Sequence, residues 1–202
     1  MSNNIPEIEE LIRLIGKLPG LGKKSATRIA LRLINNREQL KSLTNSLAAV
    51  YKNIQRCSIC GLLKNKDRMC SCSEKYFQKI CVVESLEDQI IVENSVRSQA
   101  MSFHVLGGLI SDKSLKRNEE LLIPALIKRI KNNSINEIIL ALSYTTEGAI
   151  TCHYIIDEIK NSNLNIKISK LAQGMSIGQE LNSADDGTLI SAFKNRKSAT
   201  DN

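Results

Sequence analysis

The segment "CSICGLLKNKDRMCSC" (residues 57–72) constrains the fold more than any other, because it places four of the chain's six cysteines in one short polar loop. A loop of this length and polarity buries no core of its own, so a cross-link must hold it. In a reducing compartment clustered thiols serve as metal ligands more often than as disulfides. Cys57 and Cys60 form a C-x2-C pair, which wraps one turn around an ion, and Gly61 follows where the chain must turn back. Cys70 and Cys72 complete a tetrathiolate set, the donor set of structural Zn²⁺. The second pair is a C-x-C. The spacing predicts an extended strand there, whose alternate residues face the same way and present both thiolates to one ion. Four ligands leave no open position, so a redox or catalytic role is not expected.

The charge distribution divides the chain. Its net charge is +7, yet the first eighty residues hold fifteen Lys and Arg against six Asp and Glu, and the remainder hold thirteen against fifteen. A basic module joined to a near-neutral one predicts polyanion binding by the first part. Aromatics make up 3% of the residues and Trp is absent, which argues against stacking platforms for single-stranded bases. No apolar run approaches the ~18 residues of a membrane helix. The opening "MSNNIPEIEE" is the reverse of a signal peptide, so a cytoplasmic location is expected.

Within the basic part, Ile8, Leu11, Ile12 and Ile15 recur with the period of an amphipathic helix. "LPGLGKKSATRIALRL" (18–33) then predicts a tight turn at Pro19, Gly20 and Gly22 followed by a second helix. That helix should bury Ala26, Ile29, Ala30 and Leu33 and leave Lys24, Arg28 and Arg32 on the wet face. Apolar-Pro-Gly-apolar-Gly before a basic helix resembles the helix-hairpin-helix motif. Glycines let backbone N–H groups approach a phosphate, and the helix N-terminus adds favourable partial charge. Lys23, Lys24 and Arg28 are the residues expected to hold a DNA backbone, without reading sequence.

Downstream, "ICVVES" (80–85), "EIILAL" (137–142) and "IKISKLA" (166–172) are short apolar or alternating strands. Helical stretches fall at 118–133 and 147–162. Such alternation predicts a parallel sheet, with Glu84 and Glu147 at its carboxyl edge, where α/β folds place their sites. His104 lies in an apolar strand with no nucleophile elbow near it, so it reads as a hydrogen-bonded core residue. Cys81 and Cys152 read as small core residues.

The order of these features, with "CVVES", "FHVLGGLIS", "YTTEG" and "LAQGMSIGQELNSADDGTL", resembles the bacterial recombination mediator family RecR over nearly the whole chain. The resemblance implies an α+β multi-module fold. Residues 1–52 would form a helix-hairpin-helix region for DNA binding and dimerisation, 53–79 a four-cysteine zinc finger, 80–172 a Toprim domain with a parallel sheet, and 173–202 a C-terminal helical arm and tail. Toprim enzymes hold Mg²⁺ with a glutamate after the first strand and an Asp-x-Asp after a later one. Glu84 fills the first role, but Ser143 and Thr145 stand at the aspartate positions, and hydroxyls are poor ligands for two-metal phosphoryl transfer. The resemblance therefore implies a non-enzymatic mediator that acts with RecO and RecF to load RecA onto gapped DNA coated by single-strand-binding protein. It further implies a structural zinc, partner docking at Glu84 and Glu147, and dimers that can close into a tetrameric ring around DNA.

Two other readings stay open on the residues. One is a Toprim nuclease or topoisomerase-like enzyme, and the other a sequence-specific zinc-finger regulator; the histidines His104 and His153 lie far from the cysteines. The chain departs from the family pattern in its C-x-C pair, in Gln179 where a second glycine is common, and in the short charged segment "DKSLKRNEELL" (112–122).

Overall fold

The computed structural model describes residues 5–73, 77–96, 100–111, 120–132 and 134–196. They divide into two compact units, one holding those up to residue 55 together with 65–67, the other holding 56–64 and those from 68 onward. The four cysteines thus belong to the same unit as the α/β sheet.

The first unit is helical: α1 (Pro6–Ile15), α2 (Lys23–Asn35) and α3 (Arg37–Asn53). Proline at the start of α1 sits where its missing N–H costs nothing. Ala26, Ala30 and Leu33 of α2 are buried, as the periodicity requires, whereas Ile29 is half-buried. Small residues at the crossing let the helices approach closely; a Cβ on Gly16 would lie 3.6 Å from that of Ala26. Asn36 caps α3, its side-chain oxygen accepting from the Gln39 amide at 3.0 Å. Strands β1 (Ile54–Arg56) and β2 (Leu63–Asn65) form a two-stranded sheet.

The second unit is built on four parallel strands in the order β4-β3-β5-β6, with β3 at Lys79–Val83, β4 at Ser102–Val105, β5 at Glu137–Ala141 and β6 at Lys167–Lys170. β3 pairs Ile80 with Ser102 on one side and with Ile138 on the other. The twofold alternation sorts its side chains. Ile80 and Val82 join Ile138, Leu140 and the buried faces of α5 (Ile123–Asn132) and α6 (Thr146–Asn161) in the larger core. Cys81 and Val83 point the other way, into a smaller core with Phe103, Val105 and Ala141, against which Leu86 and Val92 of α4 (Leu86–Ser95) pack. Helices on both faces explain why these strands are nearly continuous in apolar residues.

Cys81 and Cys152 are buried and apolar in surroundings, as anticipated. His104 is fully buried in β4, its Nε2–H donating to the Leu122 carbonyl at 2.9 Å. Burial, then the nearby Arg129 and Arg56 cations, push its pKa down to about 4, so the ring is neutral. The C-terminal part carries α7 (Asp186–Lys194), capped by Asp185. Gln179 steadies the turn before it by accepting from the Ser176 amide at 3.1 Å, with Gly178 at φ +82°. Most of the charged segment at 112–122 lies outside the described residues. No described helix is long and apolar enough to cross a membrane.

Candidate metal, nucleic-acid and docking sites

The first cysteine pair sits on a turn closed by the Gly61 amide donating to the Cys57 carbonyl at 2.9 Å and the Cys57 amide to the Leu62 carbonyl at 2.8 Å. Gly61 has φ +75°, and a Cβ there would lie 2.2 Å from the Val105 carbonyl oxygen. Only glycine fits. The turn is pinned to the end of β4 by the Val105 amide, which donates to the Cys60 carbonyl at 2.8 Å. Arg56 reinforces the seat, its Nε donating to the Gly61 carbonyl at 3.0 Å.

The second pair corrects the strand expectation. Ser71–Ser73 is a 3₁₀ turn, closed by the Ser73 amide on the Cys70 carbonyl at 2.9 Å. The tight turn buries Cys70 and Cys72 while leaving Ser71 exposed. Both sulfurs nonetheless reach the same cluster, so the ligand set is unaffected by the change of conformation.

All four sulfurs are buried and lie within 4.8 Å of one another, with Cys57 to Cys72 at 3.7 Å and Cys60 to Cys70 at 3.5 Å. A tetrahedral ion with metal–sulfur bonds near ~2.3 Å separates its ligands by about 3.8 Å, so the donor set and spacing fit. Without a cation the thiols resist shared ionisation. Burial, with the Cys57 and Cys70 charges, raises Cys72 to about 11, and burial raises Cys60. Burial also raises Cys57, but the Cys60 and Ile59 amides and the Cys60 and Cys70 thiols outweigh it and bring it to about 7. A bound cation removes the conflict.

In the helical unit, the turn between α1 and α2 places Gly20 at φ +77° and makes Gly22 the N-cap of α2 with no side-chain cap. The first turn of α2 contains no acidic residue. Its leading N–H groups therefore keep the partial positive charge of a helix N-terminus. Lys23, Lys24 and Arg28, with Arg32, are exposed on this helix as the spacing requires.

At the carboxyl edge of the parallel sheet, Glu84 follows β3 and Glu147 lies in the first turn of α6. Both line a cleft of about 930 Å³, together with Arg56, Ser143 and Thr145. The Ser143 hydroxyl donates to a Glu84 carboxylate oxygen at 3.2 Å, and Thr145 caps α6 by accepting from the Gly148 amide at 3.1 Å. A Cβ on Gly148 would lie 2.0 Å from the Ser143 carbonyl oxygen, so the helix start and the Ser143 loop are pressed together. Ser143 and Thr145 thus place hydroxyls, not carboxylates, beside Glu84 in this cleft, a weak donor set for Mg²⁺. Arg56 in this cleft was missed in the sequence, where it is one cation among many.

Comparison with known proteins accounts for both units. The RecR helix-hairpin-helix family matches residues 8–51 and the Toprim domain family matches residues 78–172. Recombination protein RecR of Pelagibacter ubique is 52% identical over 197 residues, covering 96% of this chain and 95% of its own. The chain belongs to the RecR family. RecR of Bartonella henselae is 40% identical over 97% of this chain, and RecR of a Chelativorans species 39% identical over 95%. The RecR architecture of helix-hairpin-helix, four clustered cysteines, parallel Toprim sheet and helical C-terminal region is present in order.

Proposed function

We propose that this protein is a non-catalytic DNA-binding mediator of recombinational repair. It acts with RecO and RecF to load RecA onto gapped DNA coated by single-strand-binding protein. The observation that carries the DNA reading is the start of α2, where a glycine N-cap without a side-chain cap leads into an acid-free first turn bearing exposed Lys23 and Lys24, with exposed Arg28 next along the helix. Backbone amides and cations converging there suit a phosphodiester, with no base contact required. Few contacts per subunit bind weakly at physiological salt, so a homodimer or ring-shaped tetramer accumulates affinity by multivalency. Zinc is the ion for the four cysteines, since it favours closed tetrahedral thiolate sites and supplies no redox chemistry. Glu84 and Glu147 offer two carboxylates at the mouth of a wide cleft, a surface for the cationic side chains of a protein partner. Phosphoryl transfer is disfavoured because Ser143 and Thr145 supply hydroxyls beside Glu84.

Fluorescence anisotropy with labelled duplex, across a salt titration, tests the DNA contact. Lys24→Gln and Arg28→Gln should each weaken binding alike on every sequence and reduce the log–log salt slope by about 1. Unchanged slopes would remove α2 from the interface. Glu84→Lys with Glu147→Lys should leave DNA binding intact and abolish capture of RecO; retained capture would place the partner elsewhere.

A further inference from the structure

Arg129 is an anomaly of the α/β unit. It lies on α5 and is 5% exposed, yet among the described residues no carboxylate comes within ion-pair distance of it. Its Nη1 donates to the Phe103 carbonyl at 2.8 Å and its Nη2 to the Ser102 hydroxyl at 2.9 Å, while its Nε, fully buried, has no partner. These contacts satisfy some N–H groups, but none of the described residues brings a negative charge to the guanidinium. A buried cation without an anion is costly, and such a group is retained where an opposite charge meets it.

Among the described residues, the neighbourhood supplies one candidate. Arg129 shares the walls of a cavity of about 390 Å³ with Cys72, Ser58, Ser73, Lys128 and Asn132. That cavity lies between α5 and the metal loop, and among the described residues no Asp or Glu lines it. The strand that Arg129 grips at Phe103 is the one whose Val105 amide holds the Cys60 carbonyl. A divalent cation bound by four thiolates remains an anion, because four negative ligands exceed the charge of the ion. The guanidinium and the tetrathiolate are thus charges of opposite sign, both withdrawn from water beside one cavity.

We propose that Arg129 is the counter-charge of the metal–tetrathiolate centre, a positioning residue that raises zinc affinity through its field and couples α5 to the state of the metal. The proposal rests on the reading of the four cysteines as a zinc site. Outer-shell partners of metal ligands change affinity by about 10–100-fold. Charge and hydrogen bonding can be separated: Arg129→Gln keeps a donor for the Phe103 carbonyl and loses the charge, whereas Arg129→Lys keeps the charge and loses the planar fork.

The experiment is chelator competition on the full-length protein, giving the zinc dissociation constant of wild type and both variants, with metal content measured independently. The expected result is a Gln variant at least about tenfold weaker and a Lys variant within a few-fold of wild type. A Gln variant equal to wild type overturns the proposal. So does a Lys variant weakened as much as Gln, which would assign the effect to geometry. Wild-type protein that holds no zinc overturns the zinc reading itself, a separate outcome. If the Gln variant fails to fold, the Arg129 Nε–H resonance of the wild-type chain is followed by NMR. It must move between metal-free and zinc-loaded protein, and an unmoved signal rejects the coupling.

Discussion

Replacing Gly61 by alanine tests the claim that the metal knuckle is seated on the sheet rather than hung beside it. Two terms add. Residue 61 is at φ +75°, and an L-residue with a Cβ there costs about 1–2 kcal/mol. The new Cβ would also lie 2.2 Å from the Val105 carbonyl oxygen, where ordinary contacts begin at 3.4 Å, so backbone must move. The neighbouring bond between the Val105 amide and the Cys60 carbonyl, 2.8 Å long, resists that movement. Parting it costs a further ~1–3 kcal/mol for a buried pair. The total is about 2–5 kcal/mol, a large share of a marginal stability. Gly178→Ala is the control in the same unit, since φ is +82° there but no atom lies within 4 Å of its Cβ, leaving only the backbone term. Urea denaturation of zinc-loaded protein should show Gly61→Ala losing about 1–3 kcal/mol more than Gly178→Ala. Equal losses would refute the seating.

Other outcomes follow from the same geometry. His104 has its pKa lowered from 6.5 to about 4 by burial, so the stability it confers is complete above pH 6.5 and is lost as pH falls toward 4. The loss reaches about 3 kcal/mol, and His104→Leu should flatten that arm of a pH–stability curve measured by denaturation. Thr145→Ala removes the cap of α6, leaving the Gly148 amide without that acceptor, and should cost about 1 kcal/mol, read from the denaturation midpoint. Stripping the metal with a chelator should lower the hydrogen-exchange protection of the Val105 amide, because its acceptor is the Cys60 carbonyl. Protection unchanged by chelation would mean the knuckle holds its place without an ion.

Much of this was legible from spacing. α1 and the buried face of α2 follow from apolar residues three and four apart, and the strands from apolar runs too short for helices. Glu84 and Glu147 could be placed at one edge because parallel strands put all their carboxyl ends on the same side. The C-x-C turn could not be read, since the two-residue spacing points to a strand and the bond that makes the turn, from the Ser73 amide to the Cys70 carbonyl, leaves no mark on the residue pattern. α3 carries its own signal in the chain, a cap at Asn36 followed by a helical period at Leu40, Leu43, Leu47 and Val50. Arg56 and Arg129 were invisible for another reason. Each is an ordinary basic residue along the chain, and its meaning comes from partners on distant elements, such as Val105 for Arg56 and Phe103 for Arg129.

The docking of the knuckle on β4 also fixes an order of events during synthesis. Cys60 and Cys70 are 10 residues apart, whereas Arg56 and its acceptor Val105 are separated by 49. Closing the longer loop costs about 1.4 kcal/mol more in chain entropy. The cysteines also leave the ribosome before β4, β5 and β6 exist to receive them. Closing the cysteine loop is thus the local step that loop entropy favours first, and a loop closed around an ion would offer Gly61 and Cys60 to β4 as a preformed seat.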